Sequence, residues 1–87
     1  MSERAVVVKS PVGLHARPAA LFTKAAKASG LPVTIRKPGG DPVSASSILA
    51  VLTLNVACGD EVVIQTDGDG ADAILDDLTR LLEEHEE

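Results

Sequence analysis

Apolar positions recur along the chain with two different periods, and the period changes where proline, glycine or serine interrupts. Arg4 to Lys9, RAVVVK, is a β-branched run closed by Ser10 and Pro11 and predicts a first strand. Beyond Gly13 the composition turns to alanine. Ala16 to Ala28, with Leu21 and Phe22 and with Lys24 and Lys27 three apart, predicts a helix ended by Ser29 and Gly30. Leu31, Val33 and Ile35 alternate with Pro32, Thr34 and Arg36, the pattern of a half-buried strand. Pro38, Gly39, Gly40, Asp41 and Pro42 make a turn, which leaves Val43 and Ser44 as the short return strand of a hairpin. Ser46 or Ser47 can cap a short second helix over Ile48 to Leu54, with Gly59 and Asp60 as its stop. Glu61 to Thr66, EVVIQT, is a further strand with Val62 and Ile64 on one side and Val63 on the other. Asp67, Gly68, Asp69 and Gly70 then read as a turn into an N-cap. After it Ala71, Ile74, Leu75, Leu78, Leu81 and Leu82 fall on one helical stripe, with Asp72, Asp76, Asp77, Arg80 and Glu83 off it. The tail from Glu84 to Glu87 is expected to fray.

The order β-α-β-β-α-β-α bounds the architecture. Two long helices and one short one can cover a single face of a four-stranded sheet, and a sheet with one wet face is mostly antiparallel. The expected fold is therefore α+β, an open-faced β-sandwich with three helices on one face, formed as one domain over residues 1–87 and a monomer. Composition narrows the function classes. Phe22 is the one aromatic residue, so base-stacking platforms are missing and nucleic-acid recognition is disfavoured. A lone cysteine, Cys58, supports neither an intramolecular disulfide nor a cysteine zinc site. No apolar run approaches the ~18 residues of a membrane span, and the first ten residues do not resemble a signal peptide. A cytoplasmic protein without direct membrane insertion is expected.

Charge is segregated. Residues 1–45 hold seven basic and two acidic side chains, net +5, whereas residues 46–87 hold one basic and eleven acidic, net −10. Such asymmetry is compatible with two solvated faces, or with a basic half that attracts an acidic partner or a phosphoryl group.

The candidate chemistry sits at Gly13-Leu14-His15-Ala16-Arg17-Pro18, where a strand hands over to a helix. Unpaired first-turn amides and the helix dipole make that end suited to an anion, phosphate above all. A neutral imidazole carries a ring-nitrogen lone pair able to attack phosphorus. The backbone of Ala16 and Arg17 would hold the phosphoryl oxygens, and the Arg17 guanidinium would add a charge-assisted bond. A solvated or capping histidine and a solvated arginine are the plainer alternatives at these two positions. No metal site and no cofactor is called for, because His85, the other histidine, belongs to the acidic tail.

GLHARPAA at 13–20, together with VSASSILAVLTLNVACGDEV at 43–62 and the chain length, resembles the histidine-containing phosphocarrier (HPr) family of the bacterial phosphoenolpyruvate-dependent sugar phosphotransferase system. The resemblance spans essentially the whole chain, and its most specific part is the histidine, small residue, arginine, proline, alanine run. It implies that His15 accepts a phosphoryl group on Nδ1 from the phosphohistidine of enzyme I and passes it to a histidine of a sugar-specific IIA component, with Arg17 balancing the phosphate charge. It further implies a docking surface on the first helix and the start of the second, which maps onto Ala20, Lys24, Lys27, Ile48 and Leu49. Solvated lysines, and core packing for at least one of Ile48 and Leu49, are the competing expectations. Ser47 matches a serine that a dedicated HPr kinase phosphorylates in many Gram-positive relatives. Ser46 precedes it here where relatives often have lysine or another polar residue, so helix capping is the preferred role for Ser47. Cys58 stands where a polar residue is usual and is expected to be inert; the Asp and Gly cluster at 67–70 lacks the spaced ligands of a calcium loop. Two further readings stay open: a regulatory phosphotransfer branch using the same fold, and a module that binds an anion or metabolite without covalent chemistry.

Overall fold

A computed structural model describes residues 2–9 and 13–83, with Ala16 described through its backbone alone. The elements are β1 (Ser2–Val7), α1 (Ala16–Ala28), β2 (Val33–Arg36), β3 (Val43–Ser44), α2 (Ile48–Thr53), β4 (Glu61–Thr66) and α3 (Ala71–Glu83). The four strands form one sheet in the order β1-β4-β2-β3, and every pairing is antiparallel. The fold is the expected α+β open-faced sandwich with three helices.

Strand alternation determines which side chains meet the helices. Val6, Val62, Ile64, Val33 and Ile35 are buried and join Phe22, Ala26, Val51, Leu75, Leu78 and Leu82 in one aliphatic core. Thr66 is buried on the same side, and its hydroxyl donates to the Pro32 carbonyl at 2.8 Å, which removes the cost of sealing a polar group there. On α1 the buried positions are Ala19, Phe22, Thr23 and Ala26, a helical stripe that leaves Arg17, Ala20, Leu21, Lys24 and Lys27 outside. The α3 stripe is as the sequence implies, with Ala71, Leu75, Leu78 and Leu82 buried and Ile74 and Leu81 packed at its margin.

Several boundaries differ from the expected ones. The strand predicted for Arg4 to Lys9 begins at Ser2 and leaves the ladder after Val7, because its partner β4 supplies pairs only from Glu61 to Thr66. β2 starts at Val33, two residues later than the alternation suggested. α2 stops at Thr53 with Leu54 as C-cap, well before Gly59; Asn55 takes a left-handed φ of 54° and turns the chain out of the helix. Of the two candidate caps, Ser47 caps α2, its Oγ accepting from the Ala50 amide at 3.3 Å. The turn at 67–70 leads into α3 as expected, with Gly70 immediately before it and its carbonyl accepting the Ile74 amide. Val63 is buried although it lies on the open face, since it sits on an inner strand between Ala5 and Arg36. The expected fraying from Glu84 onward falls outside the described residues. No helix is long and apolar enough to cross a membrane among those described.

Candidate functional site

His15 is the N-cap of α1, with extended backbone at φ −130° and ψ 163°. The chain before it is anchored at two successive residues, both against the 56–57 segment. Leu14 is fully buried, and its amide donates to the Val56 carbonyl at 3.0 Å. Gly13 has φ +69°, and a Cβ there would collide with the Val56 carbonyl oxygen and stand 2.8 Å from the Ala57 Cα. Only glycine fits that conformation at that separation. The result is a half-exposed histidine immediately after a sealed leucine, presented at a helix end by the segment that follows α2.

The His15 side chain makes no capping bond to its own helix. First-turn amides lack partners within a helix, and Pro18 brings no N–H, so the donors left at this end are those of Ala16 and Arg17. α1 runs for 13 residues with no acidic side chain in its first turn, so nothing negative offsets its dipole near His15. Arg17 is exposed on that first turn and forms no ion pair with a described residue. Imidazole, amides and guanidinium thus share one helix end, where an incoming tetrahedral anion would meet donors and a nitrogen lone pair together.

Ala20, Lys24 and Lys27 are all exposed along α1, and neither lysine is ion-paired with a described residue. Ile48 and Leu49 are 36% and 73% exposed at the start of α2, so the expectation that at least one belongs to the core is corrected: Val51 takes that place. α2 has six residues, and its one fully inward position falls at the fourth. The sequence reading placed Leu21 in the helix but not among the surface residues beside these; it is 38% exposed on α1, four residues after Arg17. A helical projection would have found it, because the buried stripe at 19, 22, 23 and 26 excludes position 21. Since α1 and α2 pack on each other, the site carries an apolar surface with basic residues beside it. Cys58 is exposed and free, and no cluster of metal-ligating side chains occurs among the described residues.

A four-stranded antiparallel sheet backed by helices, with a half-exposed histidine at a helix N-terminus, defines a small α+β domain whose helix end suits an anion. Comparison with known proteins gives the family. The model described as the PTS HPr component phosphorylation site matches residues 2–84. The phosphocarrier protein HPr of Streptomyces coelicolor is 51% identical over 84 residues, covering 97% of this chain and 90% of that protein. The crystal structure of a phosphocarrier protein HPr from Bacillus anthracis superposes with a TM-score of 0.89 at 33% identity, over 94% of this chain and 96% of that one. Crh, the Bacillus subtilis catabolite repression HPr, matches with a TM-score of 0.70 at 34% identity, over 95% of this chain and 98% of that one. The chain belongs to the HPr family of phosphotransferase-system phosphocarriers, whose members carry phosphoryl groups and are not catalysts.

Proposed function

We propose that this protein carries a phosphoryl group on His15, receiving it from phosphorylated enzyme I and giving it to a sugar-specific IIA component. The observation that carries this reading is the half-exposed His15 imidazole, uncommitted to helix capping, at the N-terminus of α1. In the step proposed, the Nδ1 lone pair attacks phosphorus as the donor's P–N bond breaks. The donor ring leaves with the bonding electron pair and takes up a proton, while the His15 ring releases its Nε2 proton to solvent. The amides of Ala16 and Arg17 and the Arg17 guanidinium hold the phosphoryl oxygens. Transfer onward needs a group that is held but not sealed in, and a helix end at the surface provides that.

Ala20, Leu21, Lys24, Lys27, Ile48 and Leu49 are proposed as the docking surface, its apolar centre burying against the partner and its lysines favouring acidic ones. The protein would act in the cytoplasm, where these partners are expected. The Ser47 hydroxyl is engaged in capping α2, which favours a structural role; an HPr kinase and ATP leaving Ser47 unmodified would bear that out.

The test is direct. Incubation with phosphoenolpyruvate and enzyme I should add one phosphate that acid removes and alkali spares, and His15→Ala should take none while remaining folded by circular dichroism. Acceptance by that variant would remove the assignment. Reversible anion binding without a covalent adduct would instead support the non-covalent module. The likeness to Crh supports a second reading, a regulatory branch, and adding IIA proteins separates it from uptake by whether the phosphate moves on.

A further inference from the structure

Lys37 follows β2 and is far in sequence from the histidine loop, yet it reaches the segment on which that loop rests. Its Nζ donates to the Asn55 carbonyl at 3.2 Å and lies 3.7 Å from Asp60 Oδ2. The same carboxylate oxygen accepts the Ala57 amide at 2.9 Å. One ammonium and one carboxylate therefore tie together both sides of the turn at 55–60, whose first residue is the left-handed Asn55.

That turn holds the chain at two points on the way to His15. The Val8 amide donates to the Asp60 carbonyl and the Gly59 amide to the Val8 carbonyl, at 2.9 and 2.8 Å. Further on, the Leu14 amide meets the Val56 carbonyl, with Gly13 seated against Val56 and Ala57. A shift of Val56 is passed to Leu14 through a hydrogen bond and a contact that leaves no room for a Cβ, and Leu14 is covalently joined to His15. We propose that Lys37, acting with Asp60, is a positioning residue for His15: it fixes the height of the 55–60 turn and thereby the orientation of the imidazole over the first-turn amides of α1.

The Lys37–Asp60 pair is about 40% exposed on both sides, and pairs of that kind contribute little to global stability. Phosphoryl transfer, in contrast, responds steeply to a misplacement on the order of 1 Å. Substitution of Lys37 should therefore leave the protein folded while slowing the chemistry. This rests on His15 being the phosphoryl acceptor.

The experiment compares wild type with Lys37→Met and Lys37→Arg in single-turnover transfer from phosphorylated enzyme I, alongside hydrogen exchange at the Leu14 amide. Lys37→Met should lower the maximal transfer rate about tenfold, with the half-saturating enzyme I concentration changed by less than about twofold. Its Leu14 amide should exchange about tenfold faster at an unfolding midpoint close to wild type. Lys37→Arg, which keeps charge and donors, should recover most of the rate. A raised half-saturating concentration at unchanged maximal rate would make Lys37 a docking contact and overturn the proposal, as would rates and exchange equal to wild type. Failure of the wild type itself to accept phosphate would instead defeat the assignment of His15, so the two failures are distinguishable.

Discussion

Gly13 and Gly30 separate two physical demands that a sequence shows as one letter. Both have positive φ, +69° and +75°, but a Cβ at Gly30 meets nothing within 4 Å whereas at Gly13 it meets backbone. Gly30→Ala should therefore cost about 1 kcal/mol, the strain of a left-handed alanine, and Gly13→Ala at least about twice that. Urea unfolding of the two variants reads the difference, and equal midpoints would mean that the histidine loop yields at no cost. Ser46 and Ser47 make a similar pair. Ser47→Ala removes the bond to Ala50 and should cost about 1 kcal/mol, while Ser46→Ala should lie within about 0.5. At this scale the sequence made His15, Arg17 and the proline legible through their order. It did not reveal that Leu14 is the sealed anchor, because Val56, which receives its amide, lies 42 residues away and the two meet only on folding.

Elements behave as their periodicity requires where they are long. α3 buries its stripe as written, and Leu75→Ala, which empties a fully buried position, should cost about 2–5 kcal/mol by thermal or urea unfolding. α2 behaves differently. Its run of aliphatic residues offers every position as a candidate for the core, and only packing against α1 and β3 selects Val51 and leaves Leu49 outside. Leu49→Asp should thus leave stability nearly unchanged and weaken partner binding, raising the half-saturating enzyme I concentration by about tenfold with little effect on the maximal rate. A fall in unfolding midpoint with unaltered binding would return Leu49 to a structural role. The boundary errors share a cause. Strand ends are decided by where the partner strand stops, as at Val7 and Val33, and the exit from α2 by an asparagine adopting a conformation more often left to glycine.

Over the whole molecule, the division of charge between the two halves of the chain survives folding in part. The exposed Arg17, Lys24 and Lys27 lie on α1, and Asp72, Asp76 and Asp77 are exposed on α3. Arg4 reaches across from β1 to Asp76, an exposed pair whose loss in Arg4→Ala should cost less than about 1 kcal/mol. Association with an acidic partner should slow steeply as salt rises from about 50 to 500 mM, since the screening length between exposed charges shrinks from roughly 14 to roughly 4 Å; stopped-flow association rates independent of salt would show that the basic side of α1 does not steer encounter. The sequence by itself determined the element order, the aliphatic core, the antiparallel sheet with one open face and the histidine at a helix start, since these follow from local periodicity, turn chemistry and the anion-binding character of a helix end. Tertiary structure alone decided how that histidine is held, which apolar residues of α1 and α2 stay outside, and that Lys37 braces the turn beneath. Each of those depends on contacts between residues distant in the chain, and a sequence pattern has no term for them until the backbone brings them together.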